Sequence, residues 1–166
     1  MKKSILLIYH FFHPDTVISA RLFSDLAEEL ARNGHRVRVF TGNRLIRSDA
    51  SLPVHEEWNG MEIERFSRWN FSQGSNFGRL FNSGILQLKW LAAFFRKRKE
   101  FDVVIMGTDP QFSYFMFPFL RMMNRKVRLI LWAFDLYPEA ILVDSPRWMK
   151  LLAGSIRLFI PWAYRR

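Results

Sequence analysis

The opening stretch of the chain constrains the fold more than any other. A short apolar run, Ile5-Leu6-Leu7-Ile8-Tyr9, passes through a polar break at His13-Pro14-Asp15 into apolar residues at helical spacing. Leu22, Leu26 and Leu30, with Phe23 and Ala27 beside them, predict one apolar stripe, and Asp25, Glu28, Glu29 and Arg32 fall on the other faces. Gly34 suits the position just past a helix end, where a left-handed backbone is wanted. A second strand, Arg36 to Thr41, follows at once, so the unit is β-α-β. In an open parallel sheet such a unit places the loop after its first strand at the carboxyl edge, where ligands bind.

A chain of 166 residues with 49% hydrophobic content is long enough for one domain with a real core and short for two. It has no cysteine, which excludes disulfides and thiolate metal sites, and its four histidines are too scattered for a helical metal pair, so no metal is expected. The net charge of +10 is spread along the chain rather than gathered in a tail. That favours an anionic partner without choosing among a phosphate ligand, acidic lipid and nucleic acid. The 17 Phe and 6 Trp predict an exposed apolar surface that something covers. No apolar run reaches the roughly 18 residues of a spanning helix, and Met1-Lys2-Lys3 leads into a strand rather than a cleavable signal. The expectation is a cytoplasmic protein that touches a membrane.

Beyond the opening unit, His55 to Phe66 alternates around Asn59-Gly60 and predicts a hairpin near a sheet edge, with Met61, Ile63 and Arg65 sharing one face. Trp69 to Ser83, rich in Gly, Ser, Asn and aromatics, reads as a mobile loop or lid running into a helix over roughly Gly78 to Lys99. That helix is apolar nearly all round and ends in Arg96-Lys97-Arg98-Lys99, cations suited to a helix carboxyl end. Strands at Asp102 to Met106 and Val127 to Ala133 flank a helix from about Gln111 to Met123, and a last helix is expected over Ser145 to Arg166. The order β-α-β-β-α-β-α-β-α argues for a doubly wound, mainly parallel α/β sheet of Rossmann type with helices on both faces.

Candidate functional residues lie in the loops after strands. The first loop has no glycine between Tyr9 and Arg21, which disfavours dinucleotide binding through the GxGxxG fingerprint. It offers His13, Asp15 and Arg21 around a helix start whose free N–H groups attract an anion; the alternative is that Asp15 or Thr16 caps the helix and His13 fills a turn. Asp109 follows another strand and either faces the same edge or forms a capping pair with Pro110. In Asp135-Leu136-Tyr137-Pro138-Glu139, two carboxylates four residues apart flank a rigid proline, an arrangement that accepts hydroxyl or ammonium hydrogen bonds or else caps a helix. The basic run at Arg96 and the mixed basic and aromatic last helix fit solvated or packed faces and also an anionic bilayer, whereas nucleic acid is the weakest partner.

Four segments, HPDTVISARLFSDLAEELARNGHRVRVFTG, EEWNGMEIERF, FDVVIMGTDPQFSYF and LWAFDLYPEAIL, resemble in order and spacing the amino-terminal domain of GT-B glycosyltransferases of family 4, of the bacterial O-antigen and capsule type. The resemblance covers nearly the whole chain, and its most specific pieces are NGHRVRVFTG and DLYPE, similar to the DLWPE of those enzymes. It implies transfer of a sugar, with retention of configuration, from a nucleotide-sugar donor to an acceptor such as a polyprenyl-diphosphate-linked saccharide at the cytoplasmic face of the cell membrane. By position it implies that His13, Asp15 and Arg21 line the cleft near donor phosphates and acceptor. Thr108 and Asp109 would face it from the next loop, and Asp135, Tyr137 and Glu139 would complete the acceptor wall, with Asp135 the candidate for a catalytic role.

Two departures qualify the resemblance. Val17-Ile18-Ser19 stands where the family often has a glycine pair. Residues 1–166 also correspond to a single domain: the second Rossmann domain, which binds the nucleotide sugar and bears paired glutamates, has no counterpart. The expectation is an acceptor-binding half that holds no cofactor of its own and is inactive until a donor-binding domain joins it. The rival expectation is a non-catalytic, membrane-associated scaffold that keeps the fold.

Overall fold

The computed structural model describes residues 1–46, 48, 50–67, 76–110 and 112–134. Its strands are β1 Ser4–Ile8, β2 Arg36–Gly42, β3 His55–Trp58, β4 Met61–Phe66, β5 Val103–Gly107 and β6 Arg128–Trp132. Its helices are α1 Ile18–Arg32, α2 Asn76–Lys97 and α3 Met116–Met123, the last preceded by a 3-10 turn at Ser113–Phe115. The six strands form one sheet in the order β3-β4-β2-β1-β5-β6. All neighbours run parallel except β3 and β4 at the edge. This is a doubly wound, Rossmann-like α/β sheet, as the order of elements predicts.

Handedness decides which helix covers which face. The chain steps outward from β1 to β2 through α1, then returns across the sheet to β5 through α2 and on to β6 through α3. Right-handed crossovers in opposite directions put α1 on one face and α2 with α3 on the other. Accordingly Ile5, Leu7, Val37, Val39, Ile63, Val103 and Ile105 pack with Phe23 and Ala27 of α1. Leu6, Ile8, Phe40, Val104 and Met106 pack with Trp90 and Phe94 of α2 and Phe117 and Leu120 of α3. Being covered on both sides, β1 has no polar face, which is why its sequence is an unbroken apolar run rather than an alternation.

Three local expectations change in detail. The buried face of α1 is Ala20, Phe23, Ser24 and Ala27, with Leu26 and Leu30 half-buried and Leu22 turned outward. The small residues let the helix approach the sheet, and Phe23 rather than a leucine supplies its main contact. Neither Asp15 nor Thr16 caps α1: the N-cap residue is Val17, with no side-chain cap, and the Asp15 carboxylate instead accepts the N–H of Ile46 at 2.9 Å. The helix expected over Gln111 to Met123 starts late, because Phe112 sits in the left-handed region (φ 64°) and Ser113 Oγ donates back to the Gly107 carbonyl at 2.7 Å. The Asn59-Gly60 turn, with φ of 48° and 75°, and Gly34, with φ of 79°, are as expected. The loop core at 68–75 and the last predicted helix lie outside the described residues.

Close approach at one glycine governs the sheet centre. Tyr9 stacks on Phe23 with ring centroids 4.3 Å apart and planes 4° from parallel, and a Cβ at Gly107 would overlap the edge of that buried ring. Gly107→Ala is expected to destabilise the fold by about 1–3 kcal/mol in urea denaturation, because a stacked aromatic has no free rotamer to move into. A change under about 0.5 kcal/mol, the range of ordinary surface substitutions, would show that the ring yields.

Candidate functional site

The strand order places the loop after β1 beside the loop after β5, with β2 diverging on the other side. This is the topological switch point of the sheet, where open α/β folds hold ligands. Backbone hydrogen bonds tie the loops together there. The His10 N–H donates to the Asp109 carbonyl at 3.3 Å, while the His10 carbonyl accepts from Gly42 N at 3.0 Å and Thr41 Oγ1 at 3.0 Å. Gly42 permits this approach, since a Cβ at that position would come within 2.9 Å of the His10 carbonyl oxygen.

Side chains complete the junction. His10 Nδ1 lies 2.9 Å from Asp109 Oδ2, and the imidazole stacks on Phe11 at 4.2 Å. An ionised carboxylate only accepts, so Nδ1 bears the proton and, in the neutral ring, Nε2 offers a lone pair. The pair is neither sealed nor fully solvated, at 19% and 29% side-chain exposure. A histidine oriented by a carboxylate at the carboxyl edge can accept a hydrogen bond from a hydroxyl brought to Nε2. Asp109 is thus a partner of His10 rather than a helix cap.

The other sequence candidates are distributed differently. His13 turns away from the junction toward the β3-β4 hairpin, and Asp15 toward the loop after β2, where it accepts the Ile46 N–H. The His13 ring stacks on Trp58 at 4.2 Å, and the His13 backbone N–H donates to Ser24 Oγ at 3.1 Å. Its carbonyl accepts from Arg65 Nη2 at 2.8 Å. Thr108 is buried, and its Oγ1 accepts the Phe134 N–H at 3.2 Å, fixing the exit of β6. Arg21 is exposed on the first turn of α1. Asp135, Tyr137 and Glu139 lie outside the described residues.

Two important residues escaped sequence reasoning, His10 and Arg65. His10 stands just past β1, and the pairing of Ile8 with Met106 carries it to the level of Thr108 and Asp109. That signal needs the sheet order. Alternation places Arg65 on one face of β4 with Met61 and Ile63, but does not show that this face is buried or what the guanidinium holds. Its side chain is 0% exposed, and Nη2 reaches Glu56 at 2.5 Å as well as the His13 carbonyl, leaving Nε and Nη1 without partners. A buried guanidinium with donors to spare is costly unless its bonds hold. Arg65→Ala should therefore lower stability by about 3–5 kcal/mol in chemical denaturation. A loss below about 1 kcal/mol would show that the guanidinium does not anchor the loop.

A depression of about 300 Å³ at the β3-β4 edge is lined by Arg38, His55, Glu56, Glu57, Glu62, Ile63, Glu64 and Lys97. Its two cations are already paired with carboxylates. Arg38 bonds Glu62 and, at 3.0 Å, Glu100, while Lys97 bonds Glu64 at 2.7 Å. Among the described residues no His, Asp and Glu group could hold a metal ion. Burial pushes the Glu62 carboxyl up, but hydrogen bonds and charge from Arg38, then Arg36, outweigh it and hold the group below its ordinary value of 4.5. Stability from this group is complete above that ordinary value and is lost as pH falls through the lowered one. Glu62→Gln should flatten the acid limb of the stability curve below about pH 4.5 in urea titrations, while an unchanged limb would exclude Glu62 as its source.

No protein-family model and no characterised protein sequence matches the chain. Solved structures do. The catalytic domain of starch synthase IV from Arabidopsis thaliana, solved with ADP and acarbose, superposes with a TM-score of 0.59 at 11% identity, over 80% of this chain and 34% of that one. Sucrose-phosphate synthase from Thermosynechococcus elongatus superposes with a TM-score of 0.62 at 16% identity, over 93% of this chain and 40% of that one. The chain spans well under half the length of either neighbour. At these identities the likeness is one of fold alone, a Rossmann-like α/β sheet.

Proposed function

We propose that this chain is the acceptor-binding half of a retaining glycosyltransferase of the family 4 type. In this reading a second, nucleotide-sugar-binding domain brings the donor to the carboxyl edge, and the acceptor is a saccharide linked to a polyprenyl diphosphate, as in cell-surface polysaccharide synthesis. The observation that carries the reading is the His10–Asp109 pair at the switch point. An imidazole oriented through Nδ1 presents Nε2 to a hydroxyl of the acceptor. Support also comes from the fold neighbours, one of which was solved with a nucleotide and a saccharide. The work site is then the cytoplasmic face of the cell membrane, where lipid-linked acceptors are found. In this reading Asp135, Tyr137 and Glu139 would line the acceptor side, and Arg21, exposed on the first turn of α1, would face the donor phosphates.

Co-expression with candidate donor domains, followed by transfer from labelled nucleotide sugars into membrane lipid, tests the proposal. Transfer should appear only with both parts present. In the active pair, His10→Ala and Asp109→Asn should each reduce transfer roughly ten- to hundredfold, the worth of one charge-assisted hydrogen bond. Folded chain that supports no transfer with any donor domain would favour the non-catalytic scaffold instead.

A further inference from the structure

The two helical layers differ sharply in charge and polarity. Neither α2 nor α3 contains an Asp or Glu, whereas α1 bears Asp25, Glu28 and Glu29 on its outer side. The side of α2 opposite its buried Leu86, Trp90 and Phe94 should be polar in a helix that faces water. It presents Phe81, Leu88 and Phe95 instead, seven residues apart and 59%, 66% and 51% exposed. Next to it α3 exposes Phe119 and Met122, at 49% and 70%.

Cations gather at one end of this apolar face. The carboxyl ends of the two helices meet where Asn124 Nδ2 donates to the Arg98 carbonyl at 2.7 Å. Around that contact Arg96, Lys99, Arg125 and Lys126 are exposed, and the Arg98 guanidinium lies 4.3 Å over the Phe95 ring. Long basic side chains beside exposed aromatics match the boundary between acyl chains and acidic headgroups. A second copy of the chain is a poor occupant, because it would bring one +10 molecule against another. Among the described residues no helix is long and apolar enough to cross a membrane, so contact must be made from the side.

We infer that the outer face of α2 and α3 lies on an anionic bilayer, with Leu88, Phe95, Phe119 and Met122 inserted at headgroup depth and the basic cluster on acidic lipid. Chain direction makes this face useful. α2 follows β4 and so begins at the carboxyl edge of the sheet, and a bilayer along α2 borders the edge that holds His10 and Asp109. Bilayer binding by this face is independent of sugar transfer, and either can fail without the other.

The absence of cysteine allows a direct test. Leu88→Cys and, as a control on the opposite layer, Asp25→Cys each take one environment-sensitive fluorophore, and each labelled chain is mixed with vesicles of equal parts phosphatidylcholine and phosphatidylglycerol. At low salt the label at 88 should shift to the blue and the label at 25 should not. Flotation on the same vesicles should weaken about tenfold for each of Leu88→Gln and Phe95→Gln, near the effect of withdrawing one large apolar side chain from lipid. It should weaken again on pure phosphatidylcholine. Both variants alter exposed positions, and their thermal melts should match that of the parent chain. The assignment is overturned if the parent chain does not float at low salt, if both labels shift alike, or if the glutamine variants bind as the parent does. It is also overturned if sedimentation shows a dimer that these variants dissociate.

Discussion

The packing of Tyr9 holds the centre of this molecule together. Its ring stacks on Phe23 of α1, lies 5.6 Å from Phe134 beyond β6, and occupies the space that a side chain at position 107 of β5 would need. One aromatic at the end of β1 therefore couples the helix on one face to two strands on the far side of the sheet. The next residue along is His10, so the same contact fixes where the imidazole leaves the sheet. With its carbonyl held by Thr41 and Gly42 and its N–H by Asp109, the His10 backbone has little freedom. Rigid support of this kind is what a binding group on a loop requires.

The loop after β1 divides into two parts with different physical duties. Its first part, His10, stays at the switch point with Asp109. In its second part, His13 is drawn toward the hairpin by the Trp58 stack and the Arg65 guanidinium, and Asp15 is tied to the loop after β2 by the Ile46 N–H. A buried arginine at this place converts the hairpin from an edge decoration into an anchor for the loop. The ion pairs of Arg38, Glu62, Glu100, Lys97 and Glu64 on the opposite face are of another kind. They neutralise charge along the edge strands without converging on any open group, which is why the depression they line does not resemble a site.

The unequal helical layers complete the description. On one face α1 balances acidic and basic residues and meets water in the ordinary way. On the other, α2 and α3 turn aromatics and cations outward with no carboxylate between them. The high aromatic content thus has two separate destinations. Phe12, Phe23, Phe40, Phe94, Phe101 and Trp90 fill the core, while Phe81, Phe95 and Phe119 remain outside.

Local composition alone determined much of this. The apolar runs fixed β1, β2 and β5 to within a residue or two, since strands buried on both faces leave no other pattern, and they also marked β6, which lies at the sheet edge. Asn59-Gly60 fixed the hairpin because few residues accept positive φ. The order of elements fixed the fold class through the handedness of crossovers. Residue types at strand ends marked Asp109 as an edge residue, and the family resemblance added Thr108. Composition could not say which strand ends become neighbours, for pairing joins segments about a hundred residues apart and no local signal encodes it. Only the tertiary structure brought His10 to Asp109, turned His13 toward the hairpin and Asp15 toward Ile46, and buried Arg65 beneath the loop. It also decided which side of α2 faces outward, because an apolar helix with no polar stripe takes its orientation from the sheet it packs on rather than from its own sequence.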